Sequence, residues 1–201
     1  MDSRTTPTDR LDPTDFRRFV ELNVALDRTV DDGRRRGALQ TIIEGTGALL
    51  VRPARDLLEN LPHVIGEAMQ PFGWLWNGFY HCRNGNRDEI HASYAFGPPV
   101  CSALERSGGP LSSGMCFDSL CLNQTLAAYE IKNWPGYRSC DATSGLATVS
   151  SIVCPLRNPE GKAIGVWDLD ATETIHPGDV RAMDVLFGTL ARCVAIDENC
   201  F

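Results

Sequence analysis

The sequence has no run of the ~20 apolar residues that a membrane-crossing helix needs. Its first fifteen residues, MDSRTTPTDRLDPTD, are polar and acidic and lack an apolar signal-peptide core. The expectation is a cytoplasmic protein with no membrane partner. An excess of basic residues is also missing: 19 Lys and Arg stand against 26 Asp and Glu, a formal net charge of -7. The one basic run, Arg34-Arg35-Arg36, follows Asp31 and Asp32 and reads as a solvated face. Nucleic-acid binding, which needs clustered cations on phosphates, is not expected. There is no Cys-x-x-Cys, and Cys116 and Cys121 have no second pair to complete a metal site. His81 and His91 can meet across a hairpin but read as packed or exposed side chains. Gly108-Gly109 leads into Pro110 rather than a helix N-terminus, so no phosphate loop is expected. No internal repeat is visible.

What is present is the balance of a soluble globular chain, 43% hydrophobic and 22% charged over 201 residues, enough for one domain with an extension. Eight cysteines are its most informative feature. In a reducing compartment they point to catalytic, redox or packing thiols rather than four structural disulfides. Cys82, Cys121, Cys154 and Cys193 fall among apolar neighbours and read as packing; Cys200, in the terminal Asp-Glu-Asn-Cys-Phe tail, reads as without a role.

Residues 1–13 read as a flexible arm and residues 14–50 as a helical extension, with one helix from Thr14 or Asp15 through Leu26 and another from Ala38 to Leu50. A third helix starts near Arg55, is kinked or split by Pro62, and stops at Pro71-Phe72-Gly73. Trp74 to His81 and Glu89 to Phe96 form a hairpin about Asn84-Gly85-Asn86. Residues 97–115 are a long Pro- and Gly-rich loop, Phe117 to Ala128 a short helix, and residues 132–148 a second irregular stretch. Val149 to Leu156 and Ala163 to Leu169 form a second hairpin, and Pro177-Gly178 opens the last helix. The order predicts an α+β fold, an antiparallel sheet with helices packed on one face and two long loops covering a small-molecule pocket on the other.

Thiols on two such loops over a pocket can carry redox chemistry, in which a thiolate oxidised to a sulfenic acid is resolved by a second thiol as a disulfide. Cys101 and Cys116 lie on the first loop and Cys140 on the second. Asp168 and Asp170 alternate with Trp167 and Leu169, so both carboxylates share a strand face. There they donate a proton, or bind an ammonium group, or form a solvated edge. Trp76 and Tyr80 likewise share a face, either as pocket walls or as core aromatics.

Four segments, in order, carry a family resemblance: Trp76-Asn-Gly-Phe-Tyr80, Gly114-Met-Cys116, Cys140-Asp141-Ala142 at 24 positions beyond Cys116, and Gly165-Val-Trp-Asp168-Leu-Asp170. Together they resemble the GAF-domain free methionine-(R)-sulfoxide reductases, over roughly residues 55 to 195, with the GAF-like domain at 51–201. The resemblance implies that Cys140 is the nucleophile, Cys116 its resolving partner and Cys101 a further resolving thiol. It implies a substrate-binding set of Trp76, Tyr80, Asp141, Ser151, Asp168 and Asp170. Ser151 stands where the family carries Glu. No bound cofactor is implied; a thioredoxin-type reductant fed by NADPH is, with an amino-acid-like sulfoxide as substrate. Asp141 beside Cys140 disfavours a thiolate, and Arg138 is the nearest cation to offset it. The apolar content of the 14–50 segment suggests a homodimer. Two other readings remain: a GAF-fold enzyme acting on a different small molecule, and a non-catalytic GAF ligand-binding or redox-sensing module.

Overall fold

The computed structural model describes residues 12, 16–18, 20, 33–109, 111–139 and 147–201. Residues 16–18 and 20 are helical. Helices α1 (Gly33–Leu49) and α2 (Ala54–Met69) follow, then strands β1 (Trp74–Arg83), β2 (Asn86–Phe96) and β3 (Ala103–Glu105). Helix α3 (Met115–Leu122) precedes β4 (Leu126–Ala128), β5 (Ser150–Arg157), β6 (Ala163–Ala171) and the final helix α4 (Pro177–Cys193). The strands form one antiparallel six-stranded sheet in the order β3-β2-β1-β6-β5-β4.

Strand alternation divides the interior in two. Phe79, Ile152, Cys154, Trp167 and Leu169 face α1, α2 and α4, where Leu39, Ile42, Leu58, Leu61, Leu186 and Phe187 cover them. Trp76, Tyr80, Cys82, Val153 and Val166 face the other way, under Met115, Cys116, Phe117 and Leu120 of α3. A register shift between Trp74 and Trp76 puts those two indoles in opposite layers. Gly45 serves the helical layer by close approach: a Cβ there would lie 2.6 Å from Cγ1 of Val64.

Several expectations change. Pro62 neither splits α2 nor ends it, and its carbonyl accepts a hydrogen bond from Nδ2 of Asn77 at 3.0 Å. The short helix stops at Leu122 rather than Ala128, because Asn123 turns left-handed (φ 54°). Leu126–Ala128 then pair with Ser151–Val153 as a sheet edge. The first loop likewise contains β3, paired with Glu89–His91. Arg35 is not simply solvated: it forms an ion pair with the fully buried Asp179 of α4 and lies over the Phe72 ring at 4.4 Å. The C-terminal tail is packed, with the Phe201 ring stacked on His81 at 4.4 Å. Phe16, Val20, Leu39, Ile42 and Ile43, whose apolar character suggested a dimer, are buried in this chain's own core. No helix among the described residues is long and apolar enough to cross a membrane.

Candidate functional site

A cavity of about 390 Å³ lies on the face of the sheet opposite the long helices. Its floor is made by β5 and β6, and its walls by β3, α3 and the segments on either side of α3. Asp168 and Asp170 both reach it, since Trp167 and Leu169, which alternate with them, point into the helical core. Cross-strand register sets Ser151 opposite Asp170 and Val153 opposite Asp168. Cys116 comes from the first turn of α3, opened by Gly114.

These residues converge on one carboxyl group. Cys116 Sγ donates to Oδ2 of Asp168 at 3.3 Å and Ser151 Oγ donates to Oδ1 at 3.2 Å. Burial pushes the Asp168 carboxyl up to about 6, and the hydrogen bonds from Cys116, Ser151 and the Leu169 backbone only partly oppose it. Burial also pushes the Cys116 thiol well above its ordinary value, reinforced by the Asp168 charge and by the hydrogen bond to it. Cys116 is therefore held as a neutral thiol. Tyr80 is raised by burial as well, then by Cys116 and the two aspartates, and its hydroxyl donates to the Cys101 carbonyl at 3.0 Å.

Cys101 lines the cavity and is disulfide-bonded, whereas Cys82, Cys116, Cys121, Cys154, Cys193 and Cys200 are free thiols. The expected pairing of Cys116 with Cys140 is thus not found, for a physical reason: the Cys116 sulfur is buried and engaged by Asp168. Cys140 and Asp141 lie outside the described residues. Trp76 is 3% exposed, backs the Tyr80 ring at 5.8 Å and does not line the cavity. Arg138 and Glu105 are exposed at its rim. Glu105 carried no signal, because a three-residue edge strand is too short for alternation to register. Among the described residues no group of three His, Cys, Asp or Glu could hold a metal ion.

No family model matches the chain. A free methionine-R-sulfoxide reductase of Saccharomyces cerevisiae is 24% identical over 98 residues, 49% of this chain and 49% of that protein. The match thus spans about half the length of that relative. Among solved structures, a Burkholderia vietnamiensis protein assigned as a GAF sensor is 25% identical, with a TM-score of 0.64 over 78% of this chain and 93% of that one. The free methionine-R-sulfoxide reductase of Neisseria meningitidis, in complex with its substrate, is 22% identical, with a TM-score of 0.65 over 81% of this chain and 90% of the other. The chain has an α+β GAF fold, and in sequence and fold it resembles the free methionine-R-sulfoxide reductases.

Proposed function

We propose that the protein is a thiol-dependent reductase of a small amino-acid-like sulfoxide. The observation that carries the reading is a carboxyl raised to about 6, that of Asp168, in a cavity whose wall holds a disulfide-bonded cysteine, Cys101. In this reading the Cys140 thiolate attacks the sulfoxide sulfur while Asp168 protonates the oxygen. The S–O bond and the new S–S bond break as the protonated oxygen passes to the Cys140 sulfur, so that the sulfide leaves, two electrons reduced, and Cys140 is left as the sulfenic acid. The Cys101 thiol then attacks that sulfur, releasing water and forming the disulfide, which an external thioredoxin-type dithiol, kept reduced by NADPH, returns to two thiols. Cys101 replaces Cys116 as the resolving thiol; with six other cysteines free, Cys140 is the partner the reading assigns to it. In this reading Asp170, which lines the cavity, binds an ammonium group, and Arg138 at the rim takes a carboxylate or the Cys140 thiolate.

Ser151 favours a second reading of the substrate. A hydroxyl donating to Asp168 stands where a carboxylate was expected, so the cavity suits a less cationic molecule than one with an acid at that position would. A coupled assay with thioredoxin, thioredoxin reductase and NADPH on the separate epimers of free methionine sulfoxide tests the main reading, with Cys140→Ser as control. Turnover of one epimer, lost in the control, is expected. If neither epimer is turned over while another sulfoxide is, the substrate assignment is wrong; if no sulfoxide is reduced, the enzymatic reading is wrong.

A further inference from the structure

We propose that Asp118 is a positioning residue whose carboxylate fastens the two cavity loops to each other and thereby sets access to the cavity thiol Cys116. The catalytic consequence rests on the reductase reading; the fastening itself does not. Asp118 is 1% exposed in the first turn of α3. Its Oδ1 accepts from the backbone N–H of Leu111 at 2.7 Å, on the loop before α3. Its Oδ2 accepts from the indole Nε1–H of Trp134 at 2.8 Å, on the stretch after β4. One buried side chain thus holds the segments before and after α3, through two short hydrogen bonds.

A second observation shows that these segments meet as a built contact. Gly136 has φ 72°, and a Cβ there would fall 2.2 Å from both the carbonyl carbon and the oxygen of Ser112, a backbone-to-backbone approach open only to glycine. Leu111 is itself left-handed, with φ 61°, a conformation disfavoured for leucine that its N–H bond to Asp118 helps to hold. Cys116, two residues from Asp118 and 9% exposed, lines the cavity together with Ser113 and Tyr137, the neighbours of the two residues in this contact.

An aspartate suits the task because it offers two acceptors and no donor. Asparagine would turn an NH₂ toward one of the two N–H groups. The test is pulsed alkylation with iodoacetamide, with Cys116 and Cys154 labelling followed by peptide mass spectrometry. Cys154, fully buried in the opposite layer, reports global opening. Asp118→Asn and Trp134→Phe are each expected to label Cys116 at least fivefold faster than the parent, with Cys154 unchanged. The double variant should be no faster than Asp118→Asn alone, since both changes release the same fastener. Unchanged Cys116 labelling overturns the proposal. So does Cys154 labelling that rises in parallel, which would make Asp118 a general support of the fold. Trp134→Phe keeps the carboxylate and most of the ring volume, so it reads the same question if Asp118→Asn does not fold. No substrate is needed, so the outcome is independent of whether the parent reduces a sulfoxide.

Discussion

Cys116 Sγ donates a hydrogen bond to Oδ2 of Asp168 at 3.3 Å, and the pair gives its two members opposite chemistry. A thiol kept protonated by burial beside a carboxylate is a poor nucleophile, because attack requires the thiolate. A carboxyl raised to about 6 by the same burial is a usable proton donor near neutrality. The family resemblance implied Cys116 as the resolving partner; its surroundings make it a neutral donor to the acid.

Asp168→Asn is therefore expected to lower kcat for the proposed sulfoxide reduction by roughly a hundredfold or more, the scale of general-acid catalysis. In the parent, the rate limb governed by this acid should fall as pH rises through about 6, and the variant should lack that limb. Stability should follow the same group. Its folded pKa lies above the ordinary 3.8, so its contribution is complete below about pH 4 and is lost as pH rises through about 6. Urea unfolding at pH 4 and pH 7.5 should show the parent losing ~2–3 kcal/mol relative to Asp168→Asn over that interval. Parallel pH dependence in both proteins would place the titration elsewhere.

Replacing the cysteines separates their roles. Cys101→Ser should still release one sulfide per chain in a single turnover, then stall under thioredoxin with Cys140 as a sulfenic acid that dimedone traps. Cys116→Ser should keep forming the disulfide and keep cycling, since Cys116 is free in a structure where Cys101 is bonded. Stalling by Cys116→Ser and cycling by Cys101→Ser would reverse the assignment.

The sheet and its helical layer were legible because long elements carry strong periodicity. Trp167 and Leu169 against Asp168 and Asp170 announce two faces, and the repeat from Val180 to Leu190 announces α4. The short elements were not. Leu126–Ala128 is built of good helix formers, and only Asn123 turning left-handed and the open edge of β5 make it a strand. Long-range polar pairs left even less trace. Asp118 reads as an ordinary acid near a helix start, and its bond to Trp134 spans 16 residues with no local pattern. Ser151 looked like a loss of charge; in the structure it is also a gained donor to Asp168.

The Arg35–Asp179 pair yields a stability prediction remote from the cavity. Asp179 is fully buried, burial raises its carboxyl despite the nearby guanidinium, and Arg35 reaches it from α1. Arg35→Ala strands that charge and should cost about 3–5 kcal/mol at pH 7.5. The loss should shrink toward pH 5, where protonation relieves the stranded carboxylate, and Asp179→Asn in the same background should recover part of it. Denaturant midpoints at the two pH values check this. A loss below 1 kcal/mol at both would make the pair a surface contact of little weight.

Ser151→Glu tests what the missing carboxylate does. Ser151 is 2% exposed, and its hydroxyl is bonded to Oδ1 of Asp168. A glutamate there would remove that donor and set a second acid against the first at a buried position. Two carboxylates so close cannot both ionise cheaply, so the Asp168 carboxyl should rise above about 6 and the pH–rate limb should move alkaline with it. Unless a ligand cation pairs with it, the new charge should destabilise the protein by several kcal/mol at neutral pH, read as a lower Tm. Free methionine sulfoxide brings an ammonium group that could supply the pairing. If that is the natural substrate, adding it should restore much of the lost Tm, and its KM should fall relative to the parent. If Tm is not restored and KM rises, the hydroxyl belongs to a cavity built for a less cationic sulfoxide, and Ser151 sets that preference.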